Sequence, residues 1–181
     1  VEFYGDNDRA PYGPLPQEQI VDYVRQILDF LATKNIDIAI IACNTATAAA
    51  WERVKNEYSF PVLGVIEAGV RGALAATKNE KVGVIGTEFT IKSEAYKTGI
   101  LAKAPKAEVI GQACPKFTLL VEAGKTSGPE VDEAVKGYLK TFEGTGIDTL
   151  VLGCTHYPVL LETIERYIGP GVTVVDPAVE A

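Results

Sequence analysis

Two cysteines of this sequence lie in segments that resemble each other, and their placement suggests acid–base chemistry. Residues 36–47 have the sequence IDIAIIACNTAT, and residues 147–158 have the sequence IDTLVLGCTHYP. Each segment begins with Ile-Asp, continues through five residues typical of a buried strand, and places a cysteine six residues after the aspartate. We therefore predict two related half-domains, each presenting a thiol, Cys43 or Cys154, at the carboxyl end of a strand.

Two like groups on opposite sides of a carbon atom can invert that centre. One thiolate removes the α-proton while the opposite thiol donates a proton to the other face. Contacts of about 3–3.5 Å on each side put the sulfur atoms roughly 7 Å apart, whereas a disulfide needs about 2.05 Å. A helix N-terminus after each cysteine would favour the thiolate. Either cysteine alone is more typical of a space-filling residue, so the hypothesis of a racemase depends on the matched pair.

His156 and Glu122 are candidates to assist one of these thiols. His156 follows Cys154 by two residues and can lower the pKa of a thiol or share its proton. Glu122 is a candidate partner to orient the imidazole. A lone histidine is more often a hydrogen-bonded structural residue, so this assignment depends on the neighbouring thiol. Cys114 has no counterpart, and we predict that it is structural.

Other polar residues stand at predicted strand ends, where an amino-acid substrate would bind. These candidates are Asn44, Thr45, Thr87 and Thr155. Their hydroxyl and amide groups suit the carboxylates of an amino acid, although the same side chains also cap helices. Tyr12 and Gly13 lie in a Pro-Tyr-Gly-Pro loop, which alone indicates only a turn.

Short β-branched runs alternate with longer amphipathic stretches, which predicts βα units around parallel sheets. The predicted strands are Ile36–Ala42, Val62–Ile66, Val82–Ile85, Ala107–Gln112, Thr149–Leu152 and Val172–Val175. The predicted helices are Gln17–Thr33, Thr45–Tyr58, Ile66–Thr77, Ile91–Leu101, Pro129–Phe142 and Tyr157–Ile168. The charged turn 78–81 divides a first α/β domain, residues 1–79, from a second, residues 80–175, and residues 176–181 are expected to return to the first. Because ligands bind beyond the carboxyl ends of parallel strands, the site is expected in the cleft between the halves.

The two halves differ at their beginnings. The second half opens with the strand Val82–Ile85, 72 residues before Cys154. A matching strand in the first half would lie ahead of Val1, so we expect the first half to lack its opening strand. The sequence contains no methionine, which agrees with a chain that is part of a longer protein.

Composition excludes several classes of protein. The net charge of -7 argues against nucleic-acid binding, and no apolar run reaches the roughly 18–20 residues of a membrane helix. Three widely spaced cysteines form a poor disulfide framework and suit a reducing cytoplasm. With a single histidine and no Cys-x-x-Cys pair, we expect no metal site.

Six motifs resemble those of bacterial glutamate racemases, of the aspartate/glutamate/hydantoin racemase superfamily. They are Ala42–Ala48 (ACNTATA), Gly153–Pro158 (GCTHYP), Pro11–Pro14 (PYGP), Tyr4–Asp6 (YGD), Gly83–Thr87 (GVIGT) and Ala113–Pro115 (ACP). The resemblance implies cofactor-independent interconversion of L- and D-glutamate, supplying D-glutamate for peptidoglycan and cell-wall biogenesis by a cytoplasmic homodimer. It also implies residue roles: Cys43 acts on D-glutamate, and Cys154 acts on L-glutamate with help from His156 and Glu122. The substrate would contact Tyr12, Gly13, Asn44, Thr45, Thr155 and His156.

The sequence also departs from this family. Its members begin earlier, with a strand that carries an Asp-Ser pair contacting substrate, and they continue beyond Ala181. The family's Thr-Ala-Arg-Cys is replaced by residues 7–10, Asn-Asp-Arg-Ala. We therefore predict no measurable turnover for the purified 181-residue chain, and an assay that detects racemisation by it would contradict this.

Three alternatives stay open from the sequence. The first is an aspartate, hydantoin or other amino-acid racemase with the same two-thiol mechanism. The second is a noncatalytic α/β ligand-binding or regulatory module, for which Cys43→Ser would leave ligand affinity unchanged. The third is a thiol–disulfide protein, which requires Cys43 and Cys154 to come within bonding range.

Overall fold

The computed structural model describes residues 1–181 as an α/β fold with two parallel sheets. The strands are β1 (Ala39–Ile41), β2 (Val62–Gly64), β3 (Lys81–Gly86), β4 (Glu108–Ala113), β5 (Thr149–Gly153) and β6 (Thr173–Val175). The smaller sheet pairs β1 with β2, and the larger has the order β4-β3-β5-β6, with every pair parallel. Each predicted strand overlaps an observed one, and the predicted α/β class with helix-flanked parallel sheets is confirmed.

Eight helices connect and cover these strands. They are α1 (Gln17–Ala32), α2 (Asn44–Val54), α3 (Val65–Ala76), α4 (Glu88–Lys92), α5 (Ala95–Lys103), α6 (Pro115–Glu122), α7 (Pro129–Leu139) and α8 (Leu161–Ile168). Short 3₁₀ turns lie at Asn7–Arg9, Lys140–Phe142 and Tyr157–Leu160. None of the helices combines the length and apolarity needed to cross a bilayer.

The structure corrects the helix prediction in three places. The helix expected over Ile91–Leu101 is two helices, because Glu94 adopts a left-handed conformation with φ +53° between α4 and α5. The helix expected from Tyr157 begins as a 3₁₀ turn and becomes α-helical only at Leu161. Helix α6 was not predicted, since its eight residues are too few for a clear helical periodicity.

Three apolar clusters hold the elements together. In the first, Ile20, Val24 and Leu28 of α1 pack with α2 against the smaller sheet. The second lies on one face of the larger sheet, where α6, α7 and α8 cover the inner strands. On the other face, α3 and α5 form the third cluster around Val70 and Ile100. Every residue of β5 is buried, as expected for a parallel strand covered on both faces.

The turn between α3 and β3 is anchored by Asp148, the aspartate of the second Ile-Asp pair. Its carboxylate accepts hydrogen bonds from the Thr77 hydroxyl at 2.6 Å and from the backbone N–H groups of Lys78 and Asn79. Burial raises the pKa of Asp148, but these hydrogen bonds outweigh it and hold the pKa below its ordinary value. Helix α3 thus ends beside the start of β5. It packs on the larger sheet, although in the chain it precedes the turn that was predicted to divide the two domains. The division into domains at residue 79 stays a prediction.

Candidate active site

Cys43 lies between β1 and α2, at the N-cap of the helix. Its sulfur accepts a hydrogen bond from the backbone N–H of Ala46 at 3.5 Å. The side chain is half-buried and packs at the margin of the first apolar cluster. The thiol therefore lies just beyond the carboxyl end of β1, and one of the unpaired N–H groups at the start of α2 donates to the sulfur.

Cys154 directly follows β5 and is 7% exposed. Its sulfur lies 3.7 Å from Nδ1 of His156 and 3.9 Å from Oγ1 of Thr118. On the far side of the imidazole, Nε2 of His156 lies 2.5 Å from Oε1 of Glu122. Thiol, imidazole and carboxylate thus form one chain of contacts, and α6 supplies both Thr118 and Glu122.

Hydroxyl groups join the start of α2, which follows β1, to the start of α4, which follows β3. Oγ1 of Thr45 lies 2.9 Å from Oγ1 of Thr87, and Thr90 lies within hydrogen-bonding range of both hydroxyls. Thr87 also caps α4 by accepting from the Thr90 N–H. The same hydroxyl therefore caps a helix and contacts the hydroxyl groups of Thr45 and Thr90. Gly13 packs against Thr87, since a Cβ built on this glycine would lie 3.3 Å from Thr87 Cβ.

A second contact links the start of α2, next to Cys43, to the end of β5, next to Cys154. The Tyr96 hydroxyl donates to Oδ1 of Asn44 at 2.6 Å, and the Tyr96 ring packs against Gly153. Asn44 follows Cys43 and Gly153 precedes Cys154, so one side chain contacts both cysteine loops, the segments 42–44 and 153–155 around the two thiols. The structure therefore joins Asn44 to a tyrosine that also packs beside Cys154, and it places Thr45 against Thr87.

Burial dominates the electrostatics of both thiols. It raises the pKa of Cys43, although N–H groups of Ala46 and Thr45 lower it in part. It raises the pKa of Cys154 to about 11, opposed by the His156 N–H and the Thr118 hydroxyl. The expected net stabilisation of the thiolate by helix starts is thus wrong for the free protein, because desolvation costs more than those N–H groups return. Negative charge on Cys43 also raises the pKa of Cys154, so the two sulfur atoms interact electrostatically.

The remaining predicted residues lie at the margins of this arrangement. The Tyr12 hydroxyl donates to the Asp6 carboxylate, and burial raises the pKa of Tyr12. Thr155 is exposed beside Cys154. Cys114 is fully buried, and its sulfur lies 3.6 Å from the Gln112 carbonyl oxygen. No three His, Cys, Asp or Glu side chains converge as a metal site requires.

Sequence patterns missed three residues of this region: Thr90, Thr118 and Tyr96. Thr90 follows Thr87 at a spacing typical of helix capping, a signal that could have identified it. Thr118 lies on the helix that was not predicted. Tyr96 carries no sequence signal, because its partner Asn44 is 52 residues away.

One surface cavity of the protein lies away from this region. A surface cavity of about 360 Å³ is lined by residues that include Lys136, Phe142 and Tyr167, and by neither of the thiols of the matched pair. The chemistry of the side chains is the better guide, because paired thiols and a contacting imidazole can transfer protons and the cavity lining has no comparable set.

Comparison with known proteins decides the family. The sequence model of the Asp/Glu/hydantoin racemase family matches residues 2–181. The chain belongs to this family. It is 48% identical over 180 residues to a glutamate racemase of Lactiplantibacillus plantarum, a match that covers 99% of this chain and 66% of the relative.

Solved structures of family members have the same fold. A glutamate racemase isoform from Bacillus anthracis aligns with a TM-score of 0.90 at 38% identity, over 97% of this chain and 66% of that one. A glutamate racemase from Francisella tularensis, solved in complex with D-glutamate, aligns with a TM-score of 0.89 at 38% identity, over 97% of this chain and 65% of that one. The chain thus spans about two thirds of the length of these family members.

Proposed function

We propose that the protein interconverts L- and D-glutamate without a cofactor, by proton transfer between Cys43 and Cys154. The observation that carries this proposal is the placement of two thiols after strands of parallel sheets, with the His156–Glu122 pair in contact with Cys154. Because charge on one thiol raises the pKa of the other, ionising one keeps its partner protonated. The pair then consists of one base and one acid, which a two-base inversion requires.

In this proposal the substrate supplies the positive charge that ionises one of the thiols. Both thiols have raised pKa values, so at neutral pH the site holds two protonated thiols. The ammonium group of a bound amino acid would lower the pKa of a nearby thiol and produce the reactive thiolate. From L-glutamate, Cys154 takes the α-proton and Cys43 donates its own to the opposite face; D-glutamate reverses the roles. His156, held by Glu122, assists at Cys154 by taking up or returning the sulfur's proton.

Polar groups around the thiols suit the rest of the substrate. Thr87 is half-buried, and Thr155 is exposed next to Cys154. With Asn44, Thr45 and the helix-start N–H groups, these residues would bind the two carboxylates. Tyr12 and Gly13 would close the site from the N-terminal loop. Glutamate is favoured over aspartate or hydantoin substrates because relatives at 38–48% identity are named glutamate racemases.

The biological role follows from the same resemblance. Glutamate racemases supply D-glutamate for peptidoglycan, so we propose a function in bacterial cell-wall synthesis and cell shape. The proposal includes a cytoplasmic homodimer that binds neither nucleic acid nor membrane. The net charge of -7 supports the exclusion of nucleic acid, since phosphate binding depends on clustered Lys and Arg.

Racemisation of L-glutamate in D₂O by the full-length protein tests the mechanism. With two bases, deuterium enters newly formed D-glutamate before it appears in recovered L-glutamate. A single shared base would instead label both enantiomers early, and that result would overturn the two-thiol mechanism. Aspartate and hydantoins assayed alongside test the substrate assignment.

Cysteine variants separate this proposal from a noncatalytic binding module. Cys43→Ser and Cys154→Ser should each lower kcat by roughly 10²- to 10⁴-fold, the usual contribution of a general acid or base. Cys114→Ser is the matched control and should retain activity, because Cys114 is buried and lies outside the pair. Unchanged turnover in either variant of the pair would exclude its thiol as an acid–base group. The three cysteines are free thiols, which gives a thiol–disulfide function no support.

A further inference from the structure

Tyr96 is confined by elements from both parts of the chain. It lies in the first turn of α5 and is 3% exposed. A Cβ built on Gly69 of α3 would lie 2.8 Å from the Tyr96 hydroxyl oxygen and 2.9 Å from Pro177. The ring therefore fills the space that the absent side chain of Gly69 leaves, and it cannot shift toward α3.

The hydroxyl of Tyr96 orients the amide of Asn44. It donates to Oδ1 at 2.6 Å, and burial raises the pKa of Tyr96 far above its ordinary value. The hydroxyl is thus a permanent donor at working pH. With Oδ1 engaged by Tyr96, the NH₂ group is the part of the Asn44 amide that can donate to a ligand. An amide in the opposite orientation would present its oxygen to the carboxylates proposed as ligands.

The ring of Tyr96 contacts the other cysteine loop. A Cβ built on Gly153 would lie 3.3 Å from Cε2 of Tyr96 and 2.7 Å from the Ile85 carbonyl oxygen. Gly153 is thus enclosed between β3 and the aromatic ring, with no room on either side. Because Cys154 is the next residue, the ring limits where its thiol can lie.

We propose that Tyr96 is a positioning residue, which sets the spacing of the two cysteine loops and turns the Asn44 amide toward the ligand. This inference rests on the proposed function for its significance, because the spacing of the thiols decides whether one carbon atom fits between them. The two contacts have separate chemical origins. The hydroxyl acts on the Cys43 side, and the ring acts on the Cys154 side.

Thiol reactivity of the 181-residue chain tests this division. Tyr96→Phe removes the hydroxyl and keeps the ring, so the iodoacetamide alkylation rate of Cys43 should change by roughly tenfold, the equivalent of one buried hydrogen bond, while that of Cys154 stays constant. Tyr96→Leu removes both contacts and should alter both rates. It should also lower the yield of the Cys43–Cys154 cross-link formed by a short bifunctional thiol reagent. Peptide mass spectrometry across pH 7 to 10 resolves the two cysteines.

Tyr58→Phe is the matched control. It removes a tyrosine hydroxyl that donates to Asp29 at 3.0 Å and to the Arg25 carbonyl oxygen, and to no residue adjacent to a thiol, so it should leave the Cys43-to-Cys154 rate ratio unchanged. A Tyr96→Phe chain with native circular dichroism and an unchanged ratio would overturn the inference, as would equal changes at both cysteines. If Tyr96→Leu does not fold, the comparison of the two phenylalanine variants decides. The assay measures reactivity rather than turnover, so a protein that failed to racemise glutamate would refute the proposed function separately.

Discussion

Replacing Gly153 with alanine would place a methyl group where β3 and β5 leave no room for one. The new Cβ would lie 2.7 Å from the Ile85 carbonyl oxygen, a backbone atom, and 3.3 Å from the Tyr96 ring. To reach ordinary van der Waals contact, which begins at 3.4 Å, the strands must separate by about 0.7 Å. Gly153 is the residue before Cys154, so the displacement passes directly to the thiol.

The expected cost is moderate in stability and larger in activity. Overpacking of this kind costs roughly 1–3 kcal/mol, and a chain of this size loses about 2–4 °C in Tm per kcal/mol. A misplacement of about 1 Å costs roughly 10²-fold in rate, so kcat/KM for glutamate should fall by roughly 10- to 100-fold. Folded protein would therefore persist at assay temperature with most of its activity gone.

Thermal unfolding and racemase kinetics of the full-length protein measure the two effects together. Gly137→Ala is the matched control, because Gly137 is exposed within α7 and a Cβ there meets nothing within 4 Å. That substitution should stabilise the protein by roughly 0.5–1 kcal/mol and leave kcat/KM unchanged. If Gly153→Ala matched the unaltered protein in both Tm and kcat/KM, the reasoning from strand packing to thiol position would be refuted.

Two further predictions concern the Cys154 side of the site. Because its pKa is raised to about 11, alkylation of Cys154 should accelerate about tenfold per pH unit between 8 and 10, and at pH 8 it should be about 100-fold slower than at a thiol of pKa 9. Because the pKa of Cys154 is higher in the folded protein than in the unfolded chain, folding favours the protonated thiol. The stability that this difference contributes is present below about pH 9 and is lost as pH rises toward 11, which urea titrations at several pH values would detect. Glu122→Gln should lower kcat for L-glutamate by about tenfold, the equivalent of one charged hydrogen bond to His156. It should raise the primary isotope effect with α-deuterated L-glutamate and leave that with the D-enantiomer unchanged; equal changes for both enantiomers would contradict a role at Cys154.

The sequence by itself determined the strands and the position of each cysteine. Buried parallel strands are short apolar runs bounded by polar or glycine-containing turns, and these signals are local. The Ile-Asp spacing placed Cys43 and Cys154 after strands, and both lie there. The helical break at Glu94 and the eight-residue helix α6 escaped prediction, because their patterns are too short or depend on one unusual backbone conformation.

Only the tertiary structure decided how the site is assembled and charged. The bond from Tyr96 to Asn44 and the hydroxyl contact of Thr45 with Thr87 join residues 52 and 42 positions apart, which no local pattern encodes. The protonation state of the thiols likewise depends on contacts that no local sequence pattern encodes. Helix starts predict a lowered pKa, but the surrounding side chains exclude water and raise it. Desolvation depends on every neighbour at once, so it exists only after the chain has folded.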